Sequence, residues 1–154
     1  MTFRHEHLVR INDPALDGTL WLTRRQLWNG LRHTVLVPQT MDPSIDHVCV
    51  REVSSCVFSR EIRRGNSVAT DEVTLQAEHS MTICADASGP FCGSSLVIRI
   101  EEPAPRMLFV RFIYELVCAE EDRTEEEDNA RRSAYQASDI ERVREARRHA
   151  GALH

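Results

Sequence analysis

The side chains best suited to chemistry are His5, His7, Arg60, Asp71 and Tyr114. Phe3, His5, His7, Val9 and Ile11 alternate along one face of an N-terminal stretch, while Arg4, Glu6 and Arg10 fall on the other. Two imidazoles on an otherwise apolar strand face suit general acid/base work, because histidine titrates near neutral pH and burial tunes which ring is charged. The plain alternative is a hydrogen-bonded or rim histidine, since His is a residue of intermediate burial. A metal reading is weaker: H-x-H on a strand supplies two ligands, and spacing identifies no third. No metal site is assigned.

Tyr114 shares a strand face with Leu108, Val110, Phe112, Leu116 and Cys118, so its hydroxyl is the polar group that this strand directs inward. It either protonates or orients a ligand oxygen, or it is a core tyrosine bonded to the protein itself. Asp71 shares a face with Val73, Leu75 and Ala77, and Arg60 with Phe58 and Ile62. Either charge is costly to bury alone, which predicts a buried Arg60–Asp71 pair if the two strands form a hairpin. Such a pair serves as readily to neutralise itself as to bind a ligand.

Other chemistries lack their residues. All 19 basic residues are arginine, which excludes lysine Schiff-base chemistry and a Walker-type phosphate loop. No serine sits in a G-x-S-x-G elbow and no G-x-G-x-x-G follows a strand, which argues against a hydrolase triad and a dinucleotide cofactor. No cofactor is expected. The five cysteines, Cys49, Cys56, Cys84, Cys92 and Cys118, are odd in number and lack C-x-x-C spacing, so they read as reduced, mostly buried thiols, with Cys92 the most exposed.

The elements that must position these residues can be read in order. A strand over Thr2–Asn12 ends at the Asn12-Asp13-Pro14 turn. Thr23 caps a helix over about Arg24–His33, with Gln26 completing a capping box and Leu22 and Leu27 a hydrophobic staple. Trp28 falls on its buried stripe, and Asp42-Pro43 predicts the start of a second, very short helix. From His47 to Cys118 the period is two, broken by turn signals at Arg64-Gly65-Asn66, Ser88-Gly89-Pro90 and Glu102-Pro103-Ala104-Pro105, giving about six strands. An acidic run, Ala119–Asn129, reads as a solvated loop entering a helix. From Ala130 to about Ala150, Ala130, Ala134, Ala137, Ile140, Val143, Ala146 and Ala150 recur at helical spacing, predicting a long amphipathic helix with an alanine-rich buried stripe. The i,i+3 pairs Asp139–Arg142, Glu141–Arg144 and Glu145–Arg148 read as ordinary surface features. The class is α+β: an antiparallel sheet wrapped around a long terminal helix.

The 154 residues make one domain, 1–154, and 42% hydrophobic content supports a compact core. A net charge of -5 gives no general electrostatic attraction to nucleic acid or an anionic membrane, so neither is an expected partner. No apolar run approaches the ~20 residues that span a bilayer, and Met1–Asn12 does not resemble a signal peptide, so a cytoplasmic location is expected.

Several segments resemble one family in its order: Asn12-Asp13-Pro14, Leu22-Thr23-Arg24-Arg25-Gln26-Leu27-Trp28-Asn29-Gly30-Leu31, Arg60-Glu61-Ile62, Asp71-Glu72-Val73, Ile100-Glu101-Glu102-Pro103, Arg111-Phe112-Ile113-Tyr114 and Ala134-Tyr135. From Phe3 to about Gly151 the chain looks like the AtaL-like family of the START and birch-pollen-allergen superfamily, also called SRPBCC. Arg64-Gly65 departs from the apolar residue expected before that glycine. The resemblance implies a helix-grip fold, in which a seven-stranded antiparallel sheet curls around the C-terminal helix and leaves an elongated cavity. It also implies a setting in natural-product biosynthesis, since the superfamily includes lipid, hormone and polyketide binders, aromatases and cyclases.

Face-sharing with the alanine stripe predicts a pocket lined by Phe3, Val9, Leu75, Leu96, Ile98, Val110, Phe112, Tyr114, Ile140 and Val143, with Arg60 and Asp71 as further ligand contacts. The leading reading is binding of a hydrophobic or polycyclic small molecule, with His5, His7 and Tyr114 as the acid/base set of a cofactor-independent cyclisation, dehydration or rearrangement. A non-catalytic carrier or sensor is the rival. An interaction module, such as a homodimer partner using the sheet edge or the acidic loop, is the third.

Overall fold

The computed structural model describes residues 2–15, 17–85, 93–117 and 124–151. The Ser88-Gly89-Pro90 turn, Cys92, Cys118 and the first part of the acidic run lie outside them. The elements follow the expected order: β1 (Thr2–Arg10), α1 (Arg24–Leu36), β2 (His47–Ser54), β3 (Val57–Arg64), β4 (Ser67–Gln76), β5 (Ser80–Ala85), β6 (Ser94–Ala104), β7 (Met107–Val117) and α2 (Glu125–His149). The strands form one antiparallel sheet in the order β1-β7-β6-β5-β4-β3-β2. The sheet and α2 make the helix-grip arrangement that the resemblance implied.

Thr23 and Gln26 form the expected reciprocal capping box, with Gln26 N to Thr23 Oγ1 at 3.1 Å and Thr23 N to Gln26 Oε1 at 2.9 Å. The helix runs three residues past His33, because Thr34 and Val35 continue its buried face. Asp42-Pro43 does not start a second helix. A 3-10 turn, Pro38–Thr40, follows α1 instead, as another, Gly18–Leu20, precedes α1, and the Asp42 carboxylate takes the Ser44 N–H at 2.9 Å in a local turn. Between β3 and β4 Gly65 sits at φ +57°, the left-handed conformation that tight hairpins give to glycine.

The alternation expected of β1 and β7 is present: Phe3, Ile11, Leu108, Val110, Phe112 and Tyr114 are buried, and Arg4, Glu6 and Glu115 are exposed. The alanine stripe holds only in its last part, where Val143 and Ala146 are buried and Ala150 packs on the core. Ala130, Ala134 and Ala137 are exposed and Ile140 is 49% exposed, whereas Asp128, Asp139, Val143 and Ala146 are buried. A second row at the same spacing, Asp128, Tyr135, Asp139, Arg142–Val143 and Ala146, faces the sheet and α1. Ala146 reaches α1 where Gly30 leaves room: a Cβ on Gly30 would lie 2.6 Å from the Ala146 carbonyl oxygen. Exposed alanines reflect helix propensity, and the inward row is polar because it meets polar partners. Of the three i,i+3 pairs, Glu141–Arg144 and Glu145–Arg148 form on the surface, but Asp139 and Arg142 each turn inward to other partners.

The thiols also depart from expectation. Cys49, Cys56 and Cys84 are free and exposed, because β2 is an edge strand with little cover and Cys84 lies on the outward alternation of β5.

Candidate functional site

β1 and β7 are neighbours, in register with His5 opposite Tyr114 and His7 opposite Phe112. This brings the two histidines and Tyr114 together under α2, which adds Tyr135 and Asp139. Asp139 has no exposed surface. One of its oxygens accepts the Tyr114 hydroxyl proton, and the other lies 3.0 Å from His7 Nδ1. Tyr114 and Tyr135 stack with ring centroids 3.9 Å apart and planes 3° from parallel. The His5 ring lies beside Tyr135 at 6.4 Å, and its Nε2 is buried without a hydrogen-bond partner.

The electrostatics follow from burial. Desolvation raises the Asp139 carboxyl above the ordinary aspartate range, and the hydrogen bonds from Tyr114 and His7 pull it back only in part. The Tyr114 phenol is pushed up by its own burial and then by the charge of Asp139, so it keeps its proton. Burial, helped by the neighbouring charges of His7 and Arg132, lowers His5 below the ordinary histidine range. With His7 Nδ1 committed to the Asp139 carboxyl, the second ring nitrogen is the one left for proton transfer. The carboxylate would then stabilise the imidazolium that forms when that nitrogen takes a proton. His7, with a side chain 21% exposed, is the outer end of this set.

A cleft of about 510 Å³ opens between the end of α1, the segment after it, β3 and the middle of α2. Pro38, Met41, Ile45 and Ile62 supply its apolar surface, and Thr34, Arg60, Arg64 and Arg142 its polar groups. Arg142 links the cleft to the buried cluster, being three residues along α2 from Asp139 and feeling the charge of Asp139 and Tyr114. Burial lowers the Arg142 guanidinium below its usual range.

The predicted pocket lining lies elsewhere than this cleft. Ile98, Val110, Phe112, Tyr114 and Val143 belong to the packed core, with Val9, Leu75 and Leu96 against it, and Phe3 is buried beside Tyr135. Ile140 points to solvent. These residues line no part of the cleft, to which only Arg60 of the expected set contributes. α2 is rotated from the expected setting, with Tyr135, Asp139 and Arg142 inward toward β1, β7 and α1.

Arg60 and Asp71 pair across β3 and β4 as expected, at 2.8 and 2.6 Å in a two-pronged contact, and Arg60 also donates to the Val35 carbonyl at 2.6 Å. The pair thus ties the sheet to the end of α1. Sequence reasoning missed Asp139, Tyr135 and Arg142. Their signal was present in the second helical row, but it was read as surface because the row is polar. Among the described residues no group of three or more His, Cys, Asp or Glu side chains could hold a metal ion, and no helix is long and apolar enough to cross a membrane.

No curated protein matches the chain. Among solved structures, the di-domain ARO/CYC BexL from the BE-7585A biosynthetic pathway is similar at TM-score 0.69 and 15% identity, over 97% of this chain and 50% of that one. Zhui aromatase/cyclase from Streptomyces sp. R1128 is similar at TM-score 0.63 and 14% identity, over 98% of this chain and 94% of that one. Ara h 8.0201 is similar at TM-score 0.56 and 9% identity, over 97% of each chain. The chain spans about half the length of the di-domain proteins it resembles, BexL and StfQ. At such identities the likeness is one of fold. Sequence goes further, for the family model of Acetylaranotin biosynthesis cluster protein L matches residues 8–152, and the chain belongs to the AtaL family.

Proposed function

We propose that the protein binds a hydrophobic or polycyclic small molecule of natural-product biosynthesis in the cleft beside α2, and that acid/base chemistry that closes or dehydrates a ring takes place, without a cofactor, at His7, which lies outside the cleft lining, on a part of the molecule that reaches past Asp139. The observation that carries the proposal is the Tyr114–Asp139–His7 set: a carboxylate with no exposed surface, held at both oxygens, behind a half-buried imidazole. A core built for packing alone gains little from a buried carboxylate, whose desolvation costs several kcal/mol before its bonds repay any of it. In this reading His7 removes a proton from a carbon next to a carbonyl, or returns one to a leaving oxygen. Asp139 holds the imidazole in position, and Tyr114 holds Asp139. The aromatase/cyclases of the same fold and the biosynthesis-cluster description of the family support the setting.

The test uses 2-tetralone, a bicyclic ketone with exchangeable protons beside its carbonyl. The protein should accelerate deuterium uptake at that carbon, followed by proton NMR, and His7→Gln should remove the acceleration while leaving the fold intact. Binding of 2-tetralone with exchange no faster than in buffer would overturn the catalytic reading in favour of the non-catalytic carrier. Absence of binding would overturn both.

A further inference from the structure

The cleft holds three arginines, but their charges are not equally answered. Arg60 is bound by Asp71 and the Val35 carbonyl, and Arg64 by Asp42 at 3.0 and 2.9 Å. Glu141, the remaining acid of the lining, pairs with Arg144 at 3.3 Å. Arg142 forms no ion pair among the described residues. Its bond to the protein is from one terminal nitrogen to the neutral hydroxyl of Thr34, at 2.8 Å, and its Nε–H is buried with no acceptor. Asp139, three residues back on the same helix, has both oxygens engaged by Tyr114 and His7. A buried guanidinium N–H without an acceptor is an uncommon defect in a folded protein, and it belongs to the one arginine of the cleft lining whose charge no carboxylate among the described residues answers.

We propose that the cleft is specific for an organic anion, a hydrophobic carboxylic acid whose carboxylate binds the Arg142 guanidinium while its hydrocarbon lies against Met41, Ile45 and Ile62. The inference rests on the reading of the cleft as the ligand site and adds the charge class of the ligand. Guanidinium and carboxylate are matched planar groups, and the contact is strengthened where water is excluded. An anion there also relieves the repulsion between Arg142 and Arg60, which contributes, after burial, to holding Arg142 below its usual range. Thr34 fixes the guanidinium in advance, so little side-chain freedom is lost on binding.

The experiment compares anthraquinone-2-carboxylate with its neutral counterpart 2-(hydroxymethyl)anthraquinone by calorimetric titration, and follows the Arg142 Nε resonance by nitrogen-15 NMR. The acid should bind at least about ten-fold more tightly than the alcohol and shift that resonance. Arg142→Met should bring the acid down to the affinity of the alcohol and leave the alcohol unchanged, whereas Arg142→Lys should keep part of the preference. If Arg142→Met does not fold, the resonance and the acid-to-alcohol ratio of the unmodified protein decide alone. Equal binding of both probes, or tighter acid binding with no shift at Arg142, would overturn this inference and leave the cleft as the ligand site. Binding of neither probe would overturn the cleft as well.

Discussion

Tyr114 of β7 donates its hydroxyl to Asp139 of α2, and that bond joins the sheet to the helix in the middle of the core. It also commits the tyrosine's proton. In the proposed reaction Tyr114 is therefore a positioning residue, which acts through Asp139 and His7.

Tyr114→Phe should leave the fold intact but remove one of the two bonds that the buried carboxylate receives. The expected loss is ~1–3 kcal/mol, with a fall in Tm of several degrees, because Asp139 keeps its desolvation cost and loses a partner. Since the Tyr114 bond lowers the Asp139 carboxyl, its loss should move that carboxyl further up. Carbon-13 NMR of the side-chain carboxyl across a pH series measures the shift, and an unmoved titration would show that the hydrogen bond is unimportant to the charge.

Asp139 and His5 should leave opposite marks on stability against pH. The folded carboxyl of Asp139 sits above its ordinary value of 3.8, so its contribution to stability is fullest in acid and is lost as pH rises from that value through the raised one. His5 sits below its ordinary 6.5, so its contribution is present above that value and is lost as pH falls through the lowered one. Urea unfolding of Asp139→Asn and His5→Gln beside the parent protein, at intervals between pH 3 and 8, should flatten each limb separately.

Gly30→Ala should destabilise the protein although alanine is the better helix former. The added Cβ would meet the Ala146 carbonyl oxygen at 2.6 Å and its Cα at 2.7 Å, which forces α1 and α2 apart. A loss of ~1–3 kcal/mol is expected, against the gain of up to ~1 kcal/mol that the same change makes on an open helix. Ala146→Gly should not restore stability, because the two nearest atoms are backbone. Thermal denaturation of the single and double variants checks both statements.

Arg60→Met should cost ~3–5 kcal/mol, since it leaves the Asp71 carboxylate, 14% exposed, without its partner. The double change Arg60→Met with Asp71→Leu should recover most of that loss, which a double-mutant cycle by denaturant unfolding will show. Failure to recover would mean that the bond from Arg60 to the Val35 carbonyl, rather than the ion pair, carries the effect.

The sequence alone determined the element order, the capping box at Thr23, the alternation of β1 and β7, and the Arg60–Asp71 pair. Each depends on neighbours in sequence or on a hairpin register, and the periods of two and 3.6 report such relations directly. The rotation of α2 was decided only by the tertiary structure. Two rows share its helical spacing, one of alanines and one of Tyr135, Asp139 and Arg142, and an apolarity rule chooses the alanines. The polar row wins because His7, Tyr114 and Thr34 wait for it on β1, β7 and α1, at separations along the chain of 132, 25 and 108 residues. No local pattern encodes a partner that distant. That one choice buries Asp139 behind His7 and places Arg142 in the lining of the cleft beside α1.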